Sequence, residues 1–173
     1  MKKRVILCII IASMLLSAFG EYAVQRAEAR SVASVVKYAR KIYYGHNRNL
    51  KKYKKMSIKG EYTDYWKKRK LMKAITYPES TGDGYIKNYT AEYYYDKNCR
   101  LVFAFAYRKV HGKVQEYRAY YGVDRKLYRF IDAKGKITDY KHGRKCGDSM
   151  KLQDRLFDYG NYYYALAMEG SDN

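Results

Sequence analysis

The 173-residue chain sets 36 Lys or Arg against 17 Asp or Glu, a formal net charge of +19, and 23 of its residues are tyrosine. One proline and 12 glycines among so many aromatics exclude a disordered or low-complexity chain. A balance this basic repels itself and draws polyanions.

The first element is a leader. Lys2, Lys3 and Arg4 precede an apolar run from Val5 to Phe19, broken only by Ser13 and Ser17. That is the form of a secretory signal. The run is shorter than the ~20 apolar residues that span a bilayer comfortably. Ala27 and Ala29 put small residues where a signal peptidase requires them, so cleavage is expected after Ala29. An uncleaved leader is the one membrane attachment this reading allows. Cys8 lies inside the apolar run, too early for a lipid anchor.

Removing residues 1–29 leaves one domain, 30–173, with 32 basic against 15 acidic residues, net +17. The expected location is secreted or extracytoplasmic, in the cell envelope. There the available polyanions are lipid head groups, wall polymers and acidic glycans, and no specific nucleic acid is expected as partner.

Ser31 to about Tyr44 reads as a helix. Val32, Val35, Val36, Ala39 and Tyr43 fall on one stripe, Ser31 suits the N-cap, and Gly45 suits the stop. A basic tract follows: Arg48, Lys51, Lys52, Lys54, Lys55, Lys67, Lys68, Arg69, Lys70 and Lys73 are its candidates for polyanion contact. Tyr62, Tyr65 and Trp66 interleave with them as candidate aromatic platforms. Cations and rings in alternation hold anionic polymers. The alternative is a solvated connection and a Lys67–Lys70 turn that guards an edge strand against pairing.

Three segments share one form. They are Glu61-Tyr-Thr-Asp-Tyr-Trp66 with Leu71-Met-Lys-Ala-Ile75, Ala91-Glu-Tyr-Tyr-Tyr95 with Leu101-Val-Phe-Ala-Phe105, and Glu116-Tyr-Arg-Ala-Tyr-Tyr121 with Leu127-Tyr-Arg-Phe-Ile131. In each, an aromatic pair precedes a polar turn, then Leu and more apolar residues, which is how a β-hairpin reads. Alternation places Leu101, Phe103, Phe105 and Tyr107 on one face and Val102, Ala104 and Ala106 on the other. A strand apolar on both faces is central, so the second unit belongs in the middle of the sheet. Ala133–Lys136 reads as a turn into a short strand over Ile137–Tyr140. Residues 78–84, 111–113 and 143–147 read as linkers. A second helix is expected from about Ser149 to Met168, with Leu152, Leu156, Tyr159, Tyr163 and Ala167 as its stripe and Asp148 or Ser149 as its cap. Gly160 weakens it. The fold class is therefore α+β: an N-terminal helix, an antiparallel meander of about three hairpins, and a C-terminal helix, with the helices on one face.

The repeated aromatic–turn–basic–Leu unit behind a leader resembles small exported bacterial domains of the PepSY-like or lactamase-inhibitor-like kind. The resemblance implies helices on an antiparallel sheet and a protein that binds or inhibits. The hairpins also resemble MORN-type repeats, although Trp66 and Tyr95 are followed by Lys67 and Asp96 where those repeats carry glycine. No functional residue is carried over from either.

Cys99 and Cys146 remain after cleavage, an even pair in an exported chain, the setting in which disulfides persist. A bridge between them is the expectation, with two free thiols as the alternative. The tyrosines could stack on sugar rings, although on a sheet they more commonly pack across strands. His46, His111 and His142 stand apart, without metal-ligand spacing. No nucleophile elbow or phosphate loop is present. The expectation is a binding domain without catalytic residues, metal or cofactor, whose partner is an anionic envelope polymer or a protein. An inhibitor of a secreted enzyme, or an immunity-type protein, is the second reading, and a wall or glycan hydrolase the third.

Overall fold

The computed structural model describes residues 31–78, 86, 88–147 and 150–169. The leader, its cleavage site at Ala27 and Ala29, and the proposed caps Asp148 and Ser149 lie outside them. Helix α1 spans Val32–Asn49. Eight strands follow: β1 Lys54–Ile58, β2 Tyr62–Lys67, β3 Lys70–Thr76, β4 Thr90–Tyr95, β5 Leu101–Val110, β6 Lys113–Tyr121, β7 Lys126–Ile131 and β8 Ile137–Lys145. Helix α2, Leu152–Glu169, is the last described element.

All eight strands form one antiparallel sheet in sequence order. The α+β class stands. The hairpin count does not: β1 and the full length of β8 enlarge the expected three hairpins to a sheet of four. Strand β1 hides from a pattern search because all five of its residues are exposed, so it carries no apolar alternation. Strand β8 continues past Tyr140 through Gly143, whose φ of +70° and close approach to Lys126 and Tyr128 require glycine.

The three repeat units share a deeper feature than their sequence. In each hairpin the register slips once, between Tyr65 and Trp66, between Tyr94 and Tyr95, and between Tyr120 and Tyr121. The residue left over is Met72, Val102 or Tyr128, one past the leucine of each unit. Such bulges turn the strand beyond them. Trp66, Tyr95 and Tyr121 therefore pair with Leu71, Leu101 and Leu127 and share one core cluster with α2 residues Leu156 and Phe157. Tyr94, Phe103 and Tyr120 face the other way and pack on Val36 and Ala39 of α1. The expectation for Leu101 is thereby corrected: the Val102 bulge moves it from the face of Phe103 to that of Ala104 and Ala106.

The helices accordingly cover opposite faces of the sheet, not one. Central strands with apolar residues on both faces demand cover on both sides. The second unit, β4 and β5, does occupy the middle.

Helix α1 begins at Ser31, whose hydroxyl accepts from the Ser34 amide. It runs one turn beyond Gly45 because tertiary partners hold that turn. His46 is buried, donates Nε2–H to the Tyr95 carbonyl at 2.8 Å and accepts at Nδ1 from the Tyr53 hydroxyl at 3.1 Å. Gly160 in α2 lies against Tyr93 and Leu101, 2.7 and 2.8 Å from where a Cβ would sit, and its carbonyl accepts from the Tyr95 hydroxyl at 2.7 Å. The glycine that weakens the helix pattern is what lets α2 reach the sheet.

Candidate polyanion-binding surface

The turns after β2, β4 and β6 leave the sheet at one end, because a meander reverses at every strand. The turns after β4 and β6 are built alike. The amide of Asp96 bonds the Arg100 carbonyl at 3.0 Å, and that of Gly122 bonds the Lys126 carbonyl at 2.8 Å. Cys99 and Arg125 take the left-handed position, each with φ 63°. The Asp96 side chain caps its turn through the Asn98 and Arg100 amides and grips the Arg100 guanidinium at 2.7 Å. These contacts hold its carboxyl below the usual range against the opposing effect of burial.

This end of the sheet is a basic rim. The β2–β3 turn exposes Lys67, Lys68, Arg69 and Lys70, and the next two turns expose Lys97 and Arg125. Lys54 opens β1 opposite Trp66, and Lys145 closes β8 opposite Lys126. The end of α1 and the 3₁₀ turn Leu50–Lys52 bring Arg48, Lys51 and Lys52 to the same end, held there by the His46 bond to Tyr95. Lys70 Nζ bonds the Lys97 carbonyl at 2.9 Å and ties the first two turns together. Eight strands spaced about 4.8 Å apart make the rim about 34 Å long. Lys55 stands just inside it on the exposed edge strand.

Lys73 does not belong to this surface. It is buried beneath α1, pairs with Glu92 at 2.9 Å, donates to Asn47 Oδ1 at 3.1 Å and lies over the Tyr94 ring. The aromatic platform also divides. Tyr65 shares the α1 side with Lys73, whereas Tyr62 packs against Tyr163 of α2. Trp66 is core, only 5% exposed, so it offers no stacking face to a polymer.

The cysteines do not bridge; both are free. Cys99 bonds Tyr164 near the end of α2, while Cys146 neighbours Asp154 near its start. Ten residues of helix separate those two partners by about 15 Å, so the two thiols meet α2 at different points along it. Burial and the Asp154 carboxylate push the Cys146 thiol up to about 12, which makes it a poor nucleophile.

Two concavities complete the surface. A groove of about 570 Å³ between α1 and the sheet is lined by Arg40, Tyr43, Tyr44, Phe103, Phe105, Glu116, Arg118 and Tyr120. The alternation of Glu116, Arg118 and Tyr120 on β6 foreshadows a shared face. Nothing in the sequence pairs that face with Arg40. A smaller cleft of about 240 Å³ lies between β1, β2 and the end of α2, with Asp64, Trp66 and Tyr163 among its walls. Burial pushes the Asp64 carboxyl up to about 7, against the opposing hydrogen bond from Tyr163. Among the described residues, Trp66 Nε1 has no hydrogen-bond partner, and no group of three His, Cys, Asp or Glu could hold a metal ion.

No protein-family model matches the chain, and neither do any curated protein or any solved structure. The rim and the two concavities are therefore interpreted on their own chemistry.

Proposed function

We propose that the chain is an exported, non-enzymatic binding domain that holds an anionic polymer of the cell envelope along its basic rim. The observation that carries this reading is the stacking of three basic hairpin turns at one end of the sheet, extended by the end of α1. Lysines spaced along a ledge neutralise successive charges of a flexible polyanion without demanding one geometry. A hydrolase reading has less to stand on. A glycosidase of the usual kind needs two carboxylates across the scissile bond, and among the described residues Asp64 is the one carboxyl lining its cleft.

The test is retention on a polyanion column. The protein is expected to bind at low salt and to elute earlier when Lys67, Lys68, Arg69 and Lys70 are replaced together by serine. Passage without retention at low salt overturns the proposal. So does an unchanged elution position in the fourfold variant. A single protein captured with little dependence on salt would favour the inhibitor reading instead.

A further inference from the structure

The rim recognises charge alone, but the groove between α1 and the sheet combines charge with shape. We infer that this groove is a binding site for an acidic sugar unit, a pyranose ring carrying a carboxylate. The inference stands on residues outside the rim and does not require it.

The floor is aromatic. Phe105 from β5 is half-buried, and the exposed Tyr44 ring on α1 stands edge-on to Tyr43 at 5.1 Å between ring centroids, whereas Phe103 beneath them is core. Rings in this arrangement offer flat apolar area to the apolar face of a sugar ring. The cations stand beside that floor. Arg118 lies over Phe105, its guanidinium carbon 5.8 Å from the ring centre, and Arg40 lines the groove from α1. A guanidinium fork matches a carboxylate in its own plane, so the groove has charge complementarity to a carboxylate lying beside a stacked ring.

Glu116 selects among polyanions. It lines the same groove and pairs with Arg118 at 2.6 Å, with each side chain nearly half exposed. A carboxylate there accepts hydrogen bonds from sugar hydroxyls but repels a row of phosphates. That disfavours nucleic acid and phosphodiester wall polymers, and it favours a polyol whose acid groups are spaced by rings. At about 570 Å³ the groove has the volume of a ligand site, enough for a short run of linked sugar rings.

The test is calorimetric titration of the full chain with trigalacturonic acid, its fully methyl-esterified form, an oligothymidylate and a glycerol-phosphate oligomer. The acid trisaccharide is expected to bind about tenfold or more tighter than its ester, the value of one charge-assisted contact. Arg40→Gln with Arg118→Gln should bring the affinity for the acid down to that for the ester. Tyr44→Ala, at an exposed ring on the groove wall, should weaken acid and ester alike. The fourfold serine variant of Lys67–Lys70 should leave trisaccharide affinity as in the parent, which separates failure of the groove from failure of the rim. The inference is overturned if acid and ester bind equally, or if the double arginine variant weakens oligothymidylate or glycerol-phosphate binding as much as it weakens acid binding. It is also overturned if the double arginine variant, shown to be folded by near-ultraviolet circular dichroism, binds the acid unchanged.

Discussion

Tyr163 near the end of α2 donates its phenolic hydrogen to both carboxyl oxygens of Asp64 on β2, at 3.1 and 3.2 Å, across 99 positions of chain. The contact fastens the last helix to the first hairpin. Burial destabilises the Asp64 charge, and the Tyr163 hydrogen bond offsets only part of that.

Asp64 titrates near 7 in the fold, against an ordinary 3.8. Between those values the folded state holds a proton that the unfolded chain has released. The Asp64 contribution to stability is therefore fully present below pH 4, declines as pH rises to 7, and is flat above, a change on the order of 4 kcal/mol. Asp64→Asn should remove this slope and exceed the parent in stability at pH 8. Urea unfolding of both proteins at pH 5 and pH 8 measures it. His46 acts with the opposite sign, since burial lowers its pKa below 6.5 and its contribution is lost as pH falls. The difference between parent and variant isolates Asp64.

Gly160→Ala tests the seat of α2. Helix propensity alone promises a gain of about 1 kcal/mol. Contact with Tyr93 and Leu101 reverses the sign, and an overpacked site of this kind costs about 1–3 kcal/mol. A lower thermal midpoint is expected, and a higher one would contradict the packing described.

Lys73 and the rim lysines should behave oppositely. Lys73→Ala leaves Glu92 beneath α1 with the Tyr94 hydroxyl as a partner, at the low end of the about 3–5 kcal/mol that breaking a buried pair costs, yet its elution from a polyanion column should not move. The fourfold serine variant of Lys67–Lys70 should elute early and lose no more than about 1 kcal/mol with the Lys70 bond to the Lys97 carbonyl. Denaturant titration and chromatography of both proteins make the comparison.

Both cysteines are free, so reductant should leave the thermal midpoint unchanged, and thiol titration of unfolded protein should find Cys99 and Cys146 both reactive. Cys99 occupies a left-handed position with φ 63°, where a non-glycine residue costs about 1–2 kcal/mol. Cys99→Gly should therefore stabilise the protein, less whatever its contact with Tyr164 contributes.

The hairpin units were legible because each carries its own turn and its own β-prone runs, both local. The start of α1 was legible for the same reason, since a serine cap needs only its next three residues. The basic tract could be seen, but not its partition. Lys73 and Lys70 are near neighbours of like chemistry, and only the bulge at Met72 and the helix above separate a core ion pair from the rim. The groove was less visible still, because Arg40 and Arg118 are 78 positions apart.

By itself the sequence determined the class of secondary structure, the repeat and the charge, all properties of short segments and of composition. Tertiary structure decided which face each bulged strand presents and that the helices lie on opposite sides. It also decided that Cys99 and Cys146 sit at opposite ends of α2, and that three distant turns form one rim. The rim and the cysteine separation follow from how the meander and α2 pack distant segments together, and the first two have a sharper physical reason. A one-residue slip in pairing inverts every side chain beyond it, and that slip is set by partners across the sheet.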